Sequence, residues 1–270
     1  MRGKLVVDNG EVFFCNICQS RTTLTRDHIP PKGGPQGRNV TIARFLQART
    51  AAGQAQHLRH VSQSGLMYRT ICGRCNSRLG RFDDRALNDF ANRVARYVRA
   101  QQNSRLWLPE AVTFKGKPTR IMRAILGHAL AAKVLTSNDD LTVLTRQTLM
   151  DDCAGIPEPV EVFYWVYPYS TVCIVPEVGM LKQPGAGYSP DNFGFFGIIK
   201  YFPIGYLVTT DVRRYADLDR MSAFRTCGID DLVDIPVRMR RDKPYRPTWP
   251  DDDHDGNCLL FGANLVLHDS

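Results

Sequence analysis

Residues Leu24-Thr-Arg-Asp-His-Ile-Pro-Pro-Lys-Gly33 lie between two Cys-x-x-Cys pairs. These are Cys15-Asn-Ile-Cys18 and Cys72-Gly-Arg-Cys75, and the second runs straight into Asn76. Each pair offers two sulfurs from one tight turn, and four thiolates converging tetrahedrally make a closed structural zinc site. Gly73 relieves crowding in the second turn. Fifty-three residues separate Cys18 from Cys72. One ion held by both pairs therefore closes a long loop and draws Asp27, His28 and Asn76 toward a common point.

The rest of the chain sets the context. Its 270 residues suffice for one large or two modest domains, with 43% hydrophobic and 23% charged residues, as in an ordinary soluble protein. No apolar run reaches the ~20 residues of a membrane span. The start, Met1-Arg-Gly-Lys-Leu-Val-Val, lacks the apolar stretch of a signal peptide. The expectation is a cytoplasmic protein, where close cysteine pairs read as metal ligands rather than disulfides. Cys153, Cys173, Cys227 and Cys258 are expected to be buried thiols. The net charge of +8 is uneven: residues 1–110 hold 18 Lys/Arg against 7 Asp/Glu, and the remainder 17 against 20. The basic excess travels with the cysteine pairs, which suits a polyanionic partner there and not in the second half.

Alternation and turn residues give a hairpin around Asp8-Asn9-Gly10, a strand over Leu24–Ile29 ending in a Pro30-Pro31 turn, and a strand over Leu66–Ile71. Thr41–Gln47 reads as a helical turn and Gly53–Ser64 as a loop or short helix. A helix begins at Asp83/Asp84 and runs to about Gln101, with Leu87, Phe90, Ala91, Val94 and Val98 on one stripe and Arg85, Arg93, Arg96 and Arg99 opposite. At its start, helix capping is the expected job of Asp83 and Asp84, with reach to a metal ion the lesser alternative. Thr119–Leu135 is apolar nearly all round, with Pro118 in its first turn, and reads as a buried helix. His128 on it reads as a core histidine with a satisfied hydrogen bond. Val160–Val175 and Phe195–Thr210 are strand-rich, and Met239–Gly256 is an irregular, acidic loop.

Taken together, Cys15-x-x-Cys18, Asp27-His28-Ile29-x-Pro31 and Cys72-x-x-Cys75-Asn76 resemble the HNH, or ββα-metal, endonuclease family across roughly residues 12–80. The resemblance implies an α+β protein: an N-terminal zinc-braced ββα-metal core over residues 1–105, with an insertion at about 33–65, then a mixed C-terminal domain over 106–270. It implies that Asp27 and Asn76 hold a catalytic Mg²⁺ or Mn²⁺ and that His28 is the general base. The zinc on Cys15, Cys18, Cys72 and Cys75 is structural. DNA is the expected partner, with Lys32, Arg69, Arg74, Arg78 and Arg81 as phosphate contacts. The C-terminal domain would serve a homo-oligomer or an activating partner. By analogy of build alone, such an enzyme suits restriction or phage defence.

Two positions depart from the family pattern. The middle asparagine that fixes the loop carrying the base has no counterpart, since Met67 stands near its place and Gln63 and Ser64 are the nearest polar residues. The lysine after the last motif residue is replaced by Leu79. The competing expectation is a zinc-knuckle nucleic-acid-binding protein without catalysis, which keeps the cysteines and basic surface but gives Asp27, His28 and Asn76 no task.

Overall fold

The computed structural model describes residues 13–35, 40–44, 60–62, 66–102, 109–133, 138–169, 172–181, 193–210, 215, 218–239 and 266–268. It is an α+β chain built on antiparallel strand pairs. Among the described residues no helix is long and apolar enough to cross a membrane. The expected hairpin at Asp8-Asn9-Gly10, residues 240–256 of the acidic loop, and Cys258 lie outside these residues.

The amino-terminal part is built around one strand pair. Strands β1 (Phe13–Phe14) and β2 (Arg21–Thr22) flank the first cysteine turn. Strand β3 (Leu24–His28) leaves it. Segments 40–44 and 60–62 form strands β4 (Val40–Arg44) and β5 (His60–Ser62), paired with each other. The helical turn expected at Thr41–Gln47 is thus a strand where it is described. Val40, Thr41 and Ile42 are β-branched, and a neighbouring strand supplies the backbone partners that a lone helical turn would lack. Strand β6 (Met67–Cys72) pairs antiparallel with β3, with Asp27 opposite Tyr68 and His28 opposite Met67. The chain then enters helix α1 (Gly73–Arg78), a π-turn (Leu79–Asp83) and helix α2 (Asp84–Gln102) without a break. Helix α2 thus begins and ends close to the expected residues, but it continues a helical run that opens at Gly73, so Asp83 and Asp84 are interior to that run. The predicted stripe Leu87, Phe90, Ala91, Val94 and Val98 is buried, and Arg85, Arg93, Arg96 and Arg99 are exposed.

Strand β7 (Ala111–Gly116) leads to the central helix α3 (Pro118–Ala131), buried along nearly its whole circumference. It packs on α2, the π-turn, β6 and helix α4 (Asp140–Met150). An all-round buried helix must satisfy every polar side chain inside the protein. Thr119 Oγ1 donates to the Cys227 carbonyl at 3.1 Å, and Arg123 Nη1 donates to the carbonyls of Thr148 (2.7 Å) and Ala154 (3.0 Å). The orphan carbonyls at the helix end are met from outside. Asn16 Nδ2 donates to Leu130 O at 2.9 Å and to Lys133 O at 2.7 Å, and Thr70 Oγ1 donates to Ala131 O. The first cysteine turn thus caps the central helix from more than a hundred residues away.

Strands β8 (Glu161–Val166), β9 (Val172–Leu181), β10 (Phe193–Tyr201), β11 (Ile204–Thr209), β12 (Asp219–Arg220) and β14 (Val266–His268) join β4 and β5 in one antiparallel sheet. Its order is β12-β8-β11-β10-β9-β14-β4-β5. Strand β13 (Val233–Arg238) pairs with β7. The buried apolar cluster is continuous from Cys15 to Val237, so the cysteine turns and the large sheet share one core. Of the four other cysteines, Cys173 is buried, Cys227 is half-buried and Cys153 is exposed. The expectation of a buried thiol fails at Cys153 because it sits in the bend after α4, outside any packed face.

Gly205 faces Trp165 across β11 and β8, and a Cβ there would lie 2.4 Å from the indole ring. Trp165 is fully buried and has nowhere to retreat. Gly205→Ala is expected to destabilise the fold by about 1–3 kcal/mol. Urea unfolding followed by tryptophan fluorescence should show the midpoint falling with an unchanged slope; an unchanged midpoint would refute this packing.

Candidate metal centre and the adjoining acid–histidine cluster

The Sγ atoms of Cys15, Cys18, Cys72 and Cys75 lie within 4.8 Å of one another. The Cys18 and Cys72 sulfurs are 3.8 Å apart. Four sulfurs at about 2.3 Å from a central ion would be about 3.8 Å apart in a tetrahedron. The donor set therefore fits a metal ion such as zinc. Backbone bonds fix the two turns on each other: Cys72 N–H donates to Cys15 Sγ at 3.3 Å, and Asn16 N–H donates to Thr70 O at 2.9 Å. Gln19 closes the first turn in the left-handed region (φ 57°), with its Nε2 donating to Cys15 O at 2.9 Å. The Cys75 thiol donating to Cys15 draws the Cys15 sulfur well below the usual thiol range. The same contact and burial drive Cys75 up. A cleft of about 300 Å³, lined by Cys18, Cys72 and Arg74 among others, opens beside the cluster.

Asn76 on α1 is seated against β3, the strand that carries Asp27 and His28. Asn76 Nδ2 donates to Thr25 Oγ1 at 3.1 Å and to Arg26 O at 2.9 Å, fifty residues away in sequence. With the nitrogen engaged on the strand, its carbonyl oxygen is the end left to accept a cation. Asp27 and His28 are successive strand residues and point to opposite sides. Asp27 is 4% exposed, and His28 is half-buried. Asp27 Oδ2 is buried and lies 3.3 Å from His128 Nδ1. A carboxylate and an amide oxygen are the donor types that a hard divalent ion takes.

Two features of the site lay beyond the sequence reading. The loop after His28 is held by α2 rather than by a middle asparagine: Asn88 Nδ2 donates to Lys32 O at 2.8 Å, Asn92 Nδ2 to Gly33 O at 3.0 Å, and Arg99 to Pro35 O at 2.7 Å. Two asparagines one helical turn apart on a polar stripe were the available signal. The second feature is His128. It is buried in the core as expected, but against the site: its Nδ1 lies 3.3 Å from Asp27 Oδ2 and its Nε2 2.8 Å from Asp84 Oδ1. Burial alone would pull the imidazole down, yet the Asp84 and Asp27 carboxylates push it up to about 10. Next to it, Asp83 accepts from Arg120 Nη1 at 3.2 Å and lies 3.7 Å from Arg123 Nε. A lone histidine and two arginines on an otherwise apolar helix were the sequence signal for these partners.

The expected phosphate contacts divide. Lys32, Arg74 and Arg81 are exposed, and Arg69 is half-buried on β6. Arg78 is engaged, with Nε 2.5 Å from Asp152 and Nη1 donating to Met150 O at 3.2 Å. Compared with protein-family models, with curated proteins and with solved structures, the chain gives no significant match.

The purified chain is expected to carry one tightly held zinc, measured by elemental analysis. Cys18→Ser should lower that content below half and drop Tm by roughly 10 °C, since a structural site's binding energy is folding energy. Full zinc content and an unchanged Tm in Cys18→Ser would refute the four-sulfur site.

Proposed function

We propose that the chain is a metal-dependent endonuclease of the HNH type, hydrolysing DNA phosphodiester bonds. The observation that supports this best is the Asn76 side chain seated on the Asp27-His28 strand, beside the four-sulfur cluster. Strand β3, strand β6 and helix α1 supply the two strands and helix that the resemblance calls for. In this reading Asp27 and Asn76 hold a divalent cation, which when bound offsets charge on the scissile phosphate and the leaving oxygen.

The side chains then have separate tasks. His28, on the opposite side of β3 from Asp27, removes a proton from water through its imidazole, a group of suitable basicity near neutral pH. The helix asparagines hold the Lys32–Gly33 backbone and so fix the chain just after the base. Lys32, Arg74 and Arg81 bind phosphates and position the duplex without reading its sequence. The exposed arginines of α2 extend the same positive surface. In this reading the base and Asp27 work from opposite faces of β3, and Asn76 adds its oxygen from α1. The expected products are a 5′-phosphate and a 3′-hydroxyl.

The test is nicking of supercoiled plasmid with Mg²⁺ or Mn²⁺. Wild type should cut, and His28→Ala should lose about 10²–10⁴-fold in rate while keeping its zinc. Lys32→Ala and Arg74→Ala should each reduce the salt slope of DNA binding by roughly 0.9. A wild type that binds DNA but cuts with no divalent ion would leave the zinc-knuckle binding protein as the better account.

A further inference from the structure

The His128 imidazole has two unequal ends. Its Nε2 makes a well-formed 2.8 Å hydrogen bond to Asp84 Oδ1. Its Nδ1 is buried and lies 3.3 Å from Asp27 Oδ2, as an ion pair on side chains 1% and 5% exposed and outside the alignment of a hydrogen bond. The spacing of these two donor atoms is one that a shared ion would accept. Donors at about 2.1 Å and at a right angle around a cation stand about 3 Å apart.

We propose that His128 Nδ1 is a third protein ligand of the cation on Asp27, with Asp84 as the carboxylate that orients the ring. This rests on the endonuclease reading above for the cation's presence, and it changes which cation that is. The geometry supplies the parts a histidine ligand needs. A metal-bound imidazole donates its other N–H to a carboxylate, which fixes the tautomer and raises the basicity of the bound nitrogen. Asp84 does that here. The Nδ1 proton leaves to solvent when the ion enters, and the Nε2 proton stays on the Asp84 bond.

An imidazole donor in an otherwise oxygen set favours a first-row transition ion over Mg²⁺. The site is therefore assigned to Mn²⁺ or a neighbouring ion. His128 comes from the central helix, outside the two strands and helix of the nuclease unit. The core helix thus completes the site, and residues beyond the amino-terminal unit are needed to form it.

The experiment is pulsed electron paramagnetic resonance on the full zinc-loaded chain titrated with Mn²⁺. Wild type should bind one Mn²⁺ with coupling to a directly bound ¹⁴N. His28→Ala should keep that coupling and His128→Gln should lose it, with zinc content and circular dichroism confirming the fold. Asp84→Asn should keep the coupling and weaken Mn²⁺ binding by roughly 10–100-fold. If His128→Gln does not fold, the wild-type coupling and the Asp84→Asn affinity decide alone. Mn²⁺ bound to wild type without ¹⁴N coupling, or Mg²⁺ binding as tightly as Mn²⁺, would overturn the assignment. If that same wild type nicks plasmid, the nuclease reading survives. ¹⁴N coupling without cleavage would keep the metal site and overturn the nuclease reading instead. A wild type that binds no Mn²⁺, with or without DNA, overturns both.

Discussion

The convergence of four sulfurs from two turns 53 residues apart is the constraint on which the rest of the amino-terminal structure hangs. Closing a loop of that length costs about 3.5 kcal/mol in chain entropy before any constant term. An ion held by the cluster would offset it, and the geometry around the sulfurs is carried outward by backbone bonds. Cys72 N–H on Cys15 Sγ and Asn16 N–H on Thr70 O lock one turn onto the other. Asn16 then uses its side chain to cap the central helix. The sulfur cluster thus sets the strand that carries Asp27, and through the cap it sets the helix that carries His128.

What the central helix meets there is charge. Asp27, Asp83 and Asp84 are all buried, and unpaired buried carboxylates are among the most expensive groups a fold can contain. Arg120, Arg123 and His128 answer them from α3. The π-turn at Leu79–Asp83 is what makes this alignment work. In an α-helix a spacing of four residues drifts around the axis, and one wider turn offsets that drift. Cys75, Leu79, Asp83 and Leu87, each four apart, are all buried. Leu79 packs so tightly under the central helix that a Cβ on Gly127 would lie 2.6 Å from it. Helix-on-helix contact and charge pairing therefore support each other at one place.

The sequence was legible where physics is local. The Cys-x-x-Cys spacing, the stripe from Leu87 to Val98 and the apolar run after Pro118 each follow from a short-range rule and each match the structure. Of Thr41–Gln47, the described part to Arg44 was not legible, because a β-branched segment that would be a marginal turn alone becomes a strand once β5 and β14 flank it. Asp84 does open the predicted α-helix, but only the preceding π-turn and the long-range partners on α3 show that it and Asp83 lie inside a longer helical run. His128 was rightly placed in the core, but which groups satisfied it depended on a tertiary contact 101 residues away in sequence.

The choice of cation partners separates two kinds of site within one cluster. Asp83 is given guanidinium groups, which keep their charge at any ordinary pH and cannot be displaced by an ion. Asp27 and Asp84 are instead given an imidazole, the one common cation that can surrender its proton and offer a lone pair in its place. A purely structural network would gain by using arginine throughout, as Asp83 does. The histidine at this one position, with its better hydrogen bond to Asp84 and its looser contact to Asp27, is what a site would need if a proton and a metal ion were to exchange there. Only Asp27 also lies on the strand that bears His28 and receives Asn76. The carboxylate with the looser histidine contact is thus the one that the proposed catalytic site uses.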